Sequence, residues 1–181
     1  PARGTFSIGG TTHQIGGGAG GAGGDGAGGE ADGGEAWGVL DVGRGRWPYR
    51  TRWNWGGGAG TATDGETVVG IQIGGKWTEG TGHTENGMIV DGRLHKIGQE
   101  LTWTYSWDDP LAPWRVSLPD GTVDLTLTPR HDKHSATNAL VLATEVHQVF
   151  GTWSGHVTTD AGRRVEVDGI QGFAEESRSR W

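Results

Sequence analysis

The chain has 181 residues, including 37 Gly, 10 Trp and no Cys, and its formal net charge is −7. Without cysteine it can form neither a disulfide nor a thiolate metal site, and no apolar run approaches the roughly 20 residues that a membrane-spanning helix needs. The acidic balance gives no general electrostatic reason to bind nucleic acid. We therefore expect no membrane span and no nucleic-acid partner, and we assign the protein to the cytoplasm.

The N-terminal part of the chain falls into two segments. Residues 1–15 contain a short strand-like piece, from Gly4 to Ile15. Residues 16–34 read GGGAGGAGGDGAGGEADGG, and a segment with so few side chains to bury has a high ordering cost, which predicts a flexible insert. The main body covers residues 35–181, and we expect the N-terminal piece to belong to the same domain as this body.

Apolar residues in the body recur with a period of two. From Leu101 to Trp107 the odd positions are large and apolar and the even positions are hydroxyl residues, which is typical of a half-buried strand. The same alternation occurs around residues 69–73, 123–127 and 165–167. Hairpin-type turn signals separate these runs at Asp64-Gly65, Asp91-Gly92, Asp120-Gly121 and Asp160-Ala161-Gly162.

These signals predict an all-β protein. We count about ten short strands, at the spacing of an antiparallel barrel or sandwich. We expect the segment Thr128 to His134 to form a loop, and the tail from Phe173 to Arg180 to form a short terminal helix.

The stretch from Trp47 to Asn86 contains the clearest candidate binding site. Its strand-like runs lead into loops that place bulky aromatic side chains beside glycines and polar groups, a pattern that indicates the wall and rim of a pocket. Two tryptophans from later strands complete the predicted cavity lining. The predicted ligand-binding residues are Trp53, Asn54, Trp55, Lys76, Trp77, Asn86, Trp103 and Trp153.

The loop after residue 75 also holds two candidate catalytic residues. His83 can exchange a proton near neutral pH, and Glu85 could act as its partner or as a general acid. The competing interpretation is a tight loop whose polar side chains bond to its own backbone.

Glu145 and His147 are a second candidate pair. They lie two positions apart and therefore project from one face of a strand. The small apolar residues Val141 and Ala143 lie in line with them, which favours an interior face over a solvent-exposed one. A partly desolvated acid beside a histidine could protonate a bound alkene or enol.

Arginines and histidines supply two further hypotheses. Arg44, Arg46, Arg50 and Arg52 surround aromatic residues. This run suits stacking on tryptophan, pairing with acids, or holding an anionic ligand group better than it suits nucleic acid. His131, His134, His147 and His156 invite a metal hypothesis. Because the chain has no cysteine and no HExxH motif, we expect no metal site and no cofactor.

Four segments resemble a known family. They read GVLDVGRGRWPYRTRWNW, GGKWTEGTGHTENGMIVDGRLHKI, HQVFGTWSGHV and GFAEESRSRW. Over about residues 35–181 the chain is similar to the C-terminal half of a bacterial family of uncharacterised proteins, domain-of-unknown-function family 2804. That resemblance implies a lipocalin-like or calycin-like barrel, distantly similar to carotenoid 1,2-hydratase and AttH-type proteins. It also implies a missing N-terminal half, and hence a partial barrel with unpaired sheet edges.

Three functions agree with this sequence. The first is binding of a small, largely apolar molecule in a Trp-lined cavity. The second is a hydratase or isomerase acting on an alkene or terpenoid-like substrate, and the third is a carbohydrate-binding module or glycosidase. Whether the protein is an enzyme stays open at this point. Open sheet edges could pair with a second copy or with the missing half.

Overall fold

The computed structural model describes residues 2–16 and 36–180. Strands are the only regular secondary structure in these two ranges, which confirms the all-β prediction. Apart from Gly16, the predicted Gly-rich insert lies outside the described residues. The chain divides into two compact units, Pro1–Gly43 and Arg44–Trp181.

The first unit contains one β-hairpin. Strand β1 (Gly4–Ile8) pairs antiparallel with strand β2 (Thr11–Ile15), so the predicted strand-like piece consists of two strands. Gly9 and Gly10 form the turn with φ values of 56° and 81°, which glycine adopts without a steric penalty. That this piece shares a domain with the body stays a prediction.

The second unit is a nine-stranded antiparallel sheet. Its strands are β3 (Arg50–Thr61), β4 (Val68–Gly75), β5 (Gly87–Val90), β6 (Arg93–Lys96), β7 (Thr102–Thr104), β8 (Trp114–Ser117), β9 (Val123–Ala139), β10 (Leu142–Thr158) and β11 (Arg164–Arg180). The order across the sheet is β6-β5-β4-β3-β11-β10-β9-β8-β7. The last strand therefore pairs with β3, in the middle of the sheet.

The sheet curls into a half-barrel, which agrees with the predicted partial lipocalin-like barrel. Strand β7 lies at one edge of the sheet, yet Trp103 within it donates its indole N–H to the carbonyl oxygen of Gly74 in β4, at 3.3 Å. Such a contact between distant strands requires strong curvature. The strand predicted over Leu101–Trp107 is shorter than expected, because the chain leaves the ladder after Thr104.

Apolar side chains fill the concave face at one end of the half-barrel. The core includes Trp114, Leu125 and Trp153, all with no solvent exposure. Trp153 reaches from β10 across β11 to β3, where its indole N–H donates to the carbonyl oxygen of Gly57 at 3.1 Å. Glycine at position 172 leaves room for this ring, because a Cβ there would lie 2.4 Å from it.

All four predicted turn signals connect consecutive strands. Asp64-Gly65 joins β3 to β4, and Asp91-Gly92 joins β5 to β6. Asp120-Gly121 joins β8 to β9, and the segment 160–162 joins β10 to β11. The glycines in these turns have positive φ, as the sequence pattern requires.

The terminal helix prediction was wrong. Residues Phe173 to Arg180 belong to β11, which pairs with β3 on one side and with β10 on the other. Every second residue of this segment faces the concave side, so tertiary pairing decides its conformation. None of the described residues belongs to a helix long and apolar enough to cross a membrane.

Candidate functional site

A buried carboxylate lies at the centre of the concave face, beyond the apolar core. Glu176 on β11 is 0% exposed. Its Oε1 accepts hydrogen bonds from the guanidinium groups of Arg52 and Arg178, and the Arg178 bond is 2.8 Å long. Its Oε2 accepts a bond from the hydroxyl of Tyr105 and lies 3.4 Å from Nζ of Lys76. We call these five residues the Glu176 network.

Strand register brings the Glu176 network together. Glu176 lies opposite Asn54 on β3, and Arg178 lies opposite Arg52 one concave position further along the same ladder. Tyr105 follows β7 and stacks on the core residue Trp114, with ring centroids 4.0 Å apart. Residues from β3, from β11 and from the segment after β7 thus meet at the carboxylate.

The network keeps Glu176 ionised. Burial alone would raise the pKa of Glu176, but hydrogen bonds from Arg52, Arg178 and Tyr105 outweigh it and hold this pKa at about 2. Burial, together with the hydrogen bond to Glu176, raises the pKa of Tyr105 to about 12. Burial also lowers the pKa of Lys76, although the Glu176 charge opposes that effect. At neutral pH the network therefore contains one carboxylate, two guanidinium groups and a protonated phenol, beside the amino group of Lys76.

A cavity of about 790 Å³ opens beside this network. Four arginines from two adjacent strands line it: Arg50, Arg52, Arg178 and Arg180. Glu145 and Asn138 contribute polar groups from β10 and β9, and Ala136 and Ala143 contribute small apolar surfaces. The cavity is therefore a predominantly cationic space with a limited apolar wall.

A cluster of imidazoles and carboxylates lies next to the cavity. Nδ1 of His147 is 2.7 Å from Oδ2 of Asp132, and Nε2 of His134 is 3.1 Å from Oε1 of Glu145. The two imidazole rings stack with centroids 4.3 Å apart and planes 6° from parallel. The edge-to-face packing of Trp107 against His147, at 4.5 Å, supports the stack. His134, Glu145 and His147 each present an atom of the kind that ligates metal ions.

The segment expected to be a loop, Thr128 to His134, belongs instead to β9. A register shift opposite Phe150 and Gly151 places His131 against Phe150 and His134 against His147. The two histidines lie three positions apart on the same side of this register shift and therefore project from opposite faces of the sheet. Only His134 reaches the concave face, where it meets His147.

The structure places Glu145 and His147 as their spacing predicted. Both project from the concave face, in line with the buried Val149. The side chain of Glu145 is 45% exposed, however, so the desolvation on which its acid role was based is small. Their catalytic roles stay a prediction.

The tryptophans that were predicted to line the binding site do not line a common cavity. Trp103 and Trp153 lie on the concave side, and Trp153 is fully buried in the core. Trp53 and Trp55 project from the opposite face, because they alternate along β3 with the concave residue Asn54. Their indole N–H groups donate to Glu175 at 3.0 Å and to Gln72 at 3.2 Å on that outer face.

The loop candidates bond mainly to neighbouring groups. Glu85 accepts a hydrogen bond from the indole of Trp77 at 3.0 Å, and His83 is exposed. Asn86 is buried, and its amide bonds to the backbone of Gly74 and Gln99, which is a structural role. Within the described residues, no hydrogen bond or ion pair joins this loop to Glu145 or His147.

Two polar ligand-binding candidates do reach the Glu176 network. Nζ of Lys76 donates to the hydroxyl of Tyr105, and Nδ2 of Asn54 donates to the same oxygen at 3.0 Å. Lys76 has a φ of 69°, which is uncommon for a residue with a side chain and occurs frequently at functional positions.

Sequence reasoning did not identify several members of the site. Glu176, Arg178 and Arg180 alternate in the segment that was expected to be helical, so a period-two interpretation of EESRSR would have placed them on one face. Tyr105 and Trp107 were predicted only to belong to the apolar positions of a half-buried strand. Asp132 carried no signal, because its role depends on the register between β9 and β10.

Fold and site together define a curled antiparallel sheet protein whose concave face combines an apolar core with a charged, open end. The chain belongs to the family described as Domain of unknown function (DUF2804), whose model matches residues 1–181. This match is wider than the expected range of 35–181 and includes the N-terminal piece. Searches of curated proteins and of solved structures found no match.

Proposed function

We propose that the protein binds a small molecule that carries an anionic group, in the cavity at the open end of the concave face. The observation that carries this proposal is the arrangement of four arginines in two cross-strand pairs. Arg50 lies opposite Arg180, and Arg52 lies opposite Arg178. All four side chains line the cavity of about 790 Å³, a volume in the range of small-molecule sites.

The arrangement is costly unless a counter-charge is present. Like charges directly opposite one another on neighbouring strands destabilise a sheet. The carboxylate of Glu176 forms ion pairs with Arg52 and Arg178 and compensates their positive charge. In the ranges that the structure describes, no carboxylate forms an ion pair with Arg50 or Arg180, and Arg180 instead donates to the carbonyl oxygen of Leu140 at 2.9 Å. A bound carboxylate or phosphate would supply the missing charge through the bidentate bonds that guanidinium groups favour.

The proposal departs from the expectation of a largely apolar ligand in a Trp-lined cavity. Ala136 and Ala143 offer only a small apolar wall, so the charged group supplies most of the recognition. A hydrocarbon portion could extend along that wall toward solvent. A fatty acid, an organic phosphate and a short dicarboxylate are members of this ligand class.

The carbohydrate-binding alternative has less support in the structure. Sugar platforms use exposed indoles that lie flat on one open face. Trp47 and Trp77 are the most exposed tryptophans of the described residues, each 45% exposed, and their rings are tilted by 48°. They offer two inclined surfaces instead of one platform. The hydratase or isomerase alternative stays a prediction, since it depends on the predicted catalytic roles of Glu145 or Glu85 and of His147 or His83.

Isothermal titration calorimetry with phosphate, succinate and octanoate tests the proposal. The paired variant Arg50→Gln/Arg180→Gln should weaken binding of the preferred anion at least tenfold, because two charge-assisted contacts are lost. Arg93→Gln changes an exposed arginine on β6 and serves as the matched control, with unchanged affinity. Equal affinity in the paired variant and the unaltered protein, or no binding of any of the three anions, would refute the proposal.

A further inference from the structure

The concave face holds a second set of side chains, of which only Glu145 also lines the proposed anion site. We propose that His134, Glu145 and His147 form a binding site for a divalent transition-metal ion, with zinc as the preferred ion. One ligand atom from each side chain lies within 4.8 Å of the others. This proposal does not depend on anion binding.

The sheet itself positions the three ligands. His134 lies directly opposite His147 in the β9–β10 ladder, and Glu145 precedes His147 by two positions on the same strand. All three side chains therefore rise from one face, at the corners of a small triangle. Tetrahedral coordination with bonds of about 2.1 Å places ligand atoms about 3.4 Å apart. Nε2 of His134 and Oε1 of Glu145 are already 3.1 Å apart, and the two stacked imidazole rings would have to turn toward a common point to complete the set.

Asp132 prepares His147 to act as a ligand. Oδ2 of Asp132 lies 2.7 Å from Nδ1 of His147, and this bond holds the proton on Nδ1 and leaves the lone pair of Nε2 available. Histidine ligands of metal ions are regularly oriented by such a carboxylate. The second oxygen of Asp132 is buried and has no hydrogen-bond partner within the described residues. A bond to His147 alone leaves that carboxylate only partly satisfied, and a metal ion beyond the imidazole would stabilise its charge.

The surroundings allow a cation here. Arg178 lies opposite Glu145 in register, but its Nε donates to Glu176 and its guanidinium stacks on Trp107, with Cζ 3.5 Å from the ring centroid. Glu145 keeps a half-exposed carboxylate. Two imidazoles and one carboxylate are a ligand set that suits zinc and neighbouring metals and leaves a coordination position open. Because Glu145 also lines the cavity, that ion would lie at the cavity wall.

Titration of the full, untagged chain with Co²⁺ is the test, because cobalt bound by imidazole and carboxylate has a visible absorption band. We expect saturation near one equivalent and displacement of cobalt by Zn²⁺. His134→Ala and His147→Ala should each weaken cobalt binding at least tenfold. Asp132→Asn should weaken it about tenfold or more, as loss of a carboxylate that orients a ligand does.

His131→Ala is the matched control, since His131 belongs to the same strand but faces the other side of the sheet. It should bind cobalt as the unaltered protein does. Glu145→Gln replaces a carboxylate by an amide of the same shape and is a ligand variant that the sheet tolerates. Far-ultraviolet circular dichroism checks that each variant is folded. Failure of the unaltered chain to bind cobalt, or binding that survives in the double variant His134→Ala/His147→Ala, overturns the inference. Neither result bears on the arginine-lined cavity, which the anion titration tests separately.

Discussion

Glu176 supplies the sharpest test of how the concave face is held together. Its pKa is held at about 2, against an ordinary value of 4.5. Each pKa unit corresponds to about 1.4 kcal/mol, so the ionised carboxylate stabilises the folded state by about 3 kcal/mol at neutral pH. Because the folded-state pKa lies below the unfolded-state one, this stabilisation is present above pH 4.5. It is lost as the pH falls from 4.5 through 2.

Glu176→Gln removes this charge with almost no change in shape. Urea unfolding followed by tryptophan fluorescence should show a loss of about 3 kcal/mol in the free energy of unfolding at pH 7. At pH 3 the unaltered protein has lost more than half of its own contribution, and the difference between the two proteins should fall to about 1.4 kcal/mol. The narrowing of this difference distinguishes a charge effect from a packing defect, which would be independent of pH.

Glu166→Gln provides the control on the same strand. Glu166 is bonded to Arg164, but both side chains are about half exposed, and exposed ion pairs contribute little. We expect a change below about 0.5 kcal/mol at both pH values. A Glu176→Gln protein as stable as the unaltered chain at pH 7, or a deficit that stays constant down to pH 3, would show that the reasoning about the network is wrong.

Two further predictions concern packing and ionisation. Gly172→Ala should destabilise the protein by about 2 kcal/mol in the same urea assay, because its Cβ would lie 2.4 Å from the Trp153 ring and 2.5 Å from a backbone oxygen. Gly70→Ala is the control, since its Cβ would have only an ordinary 3.7 Å contact, and equal losses in the two variants would contradict the packing argument. Absorbance titration should show one of the two tyrosines, Tyr105, ionising at about pH 12 in the folded protein. In Glu176→Gln that step should move to lower pH, and an unmoved step would mean that the carboxylate does not act on the phenol.

Local signals in the sequence were sufficient for the fold class. Alternation identified most strands of the second unit, and Asp-Gly pairs identified its tight turns, because strand faces and positive φ values are set by neighbouring residues. Alternation along β10 also placed Glu145 and His147 on one face. These inferences required no knowledge of which strands pair.

The rest of the site depends on long-range register. Alternation shows that Trp53 and Trp55 share a face, but it cannot show that this face is the outer one. The bond from Arg52 to Glu176 joins residues 124 positions apart, and no local pattern predicts such a pairing. The bulge at residue 130 decides which histidine meets His147, and its position follows from the ladder between β9 and β10. Residue types alone therefore suggested catalysis or binding without showing which groups meet.

The length of the central strands has a consequence for how the molecule opens. Strands β9, β10 and β11 each contain 17 residues, and nearly all residues from Arg130 to Ala139 are exposed. Regions with few buried contacts open at a lower free-energy cost than the core does. His134 lies in this exposed end of β9 and Arg180 lies at the end of β11, whereas Val149 and Trp153 lie in the core. A metal ion or anion bound at this exposed end would therefore slow amide hydrogen exchange mainly there. The free energy of local opening at this end would then depend more on whether the ligand is bound than on the residues that form it.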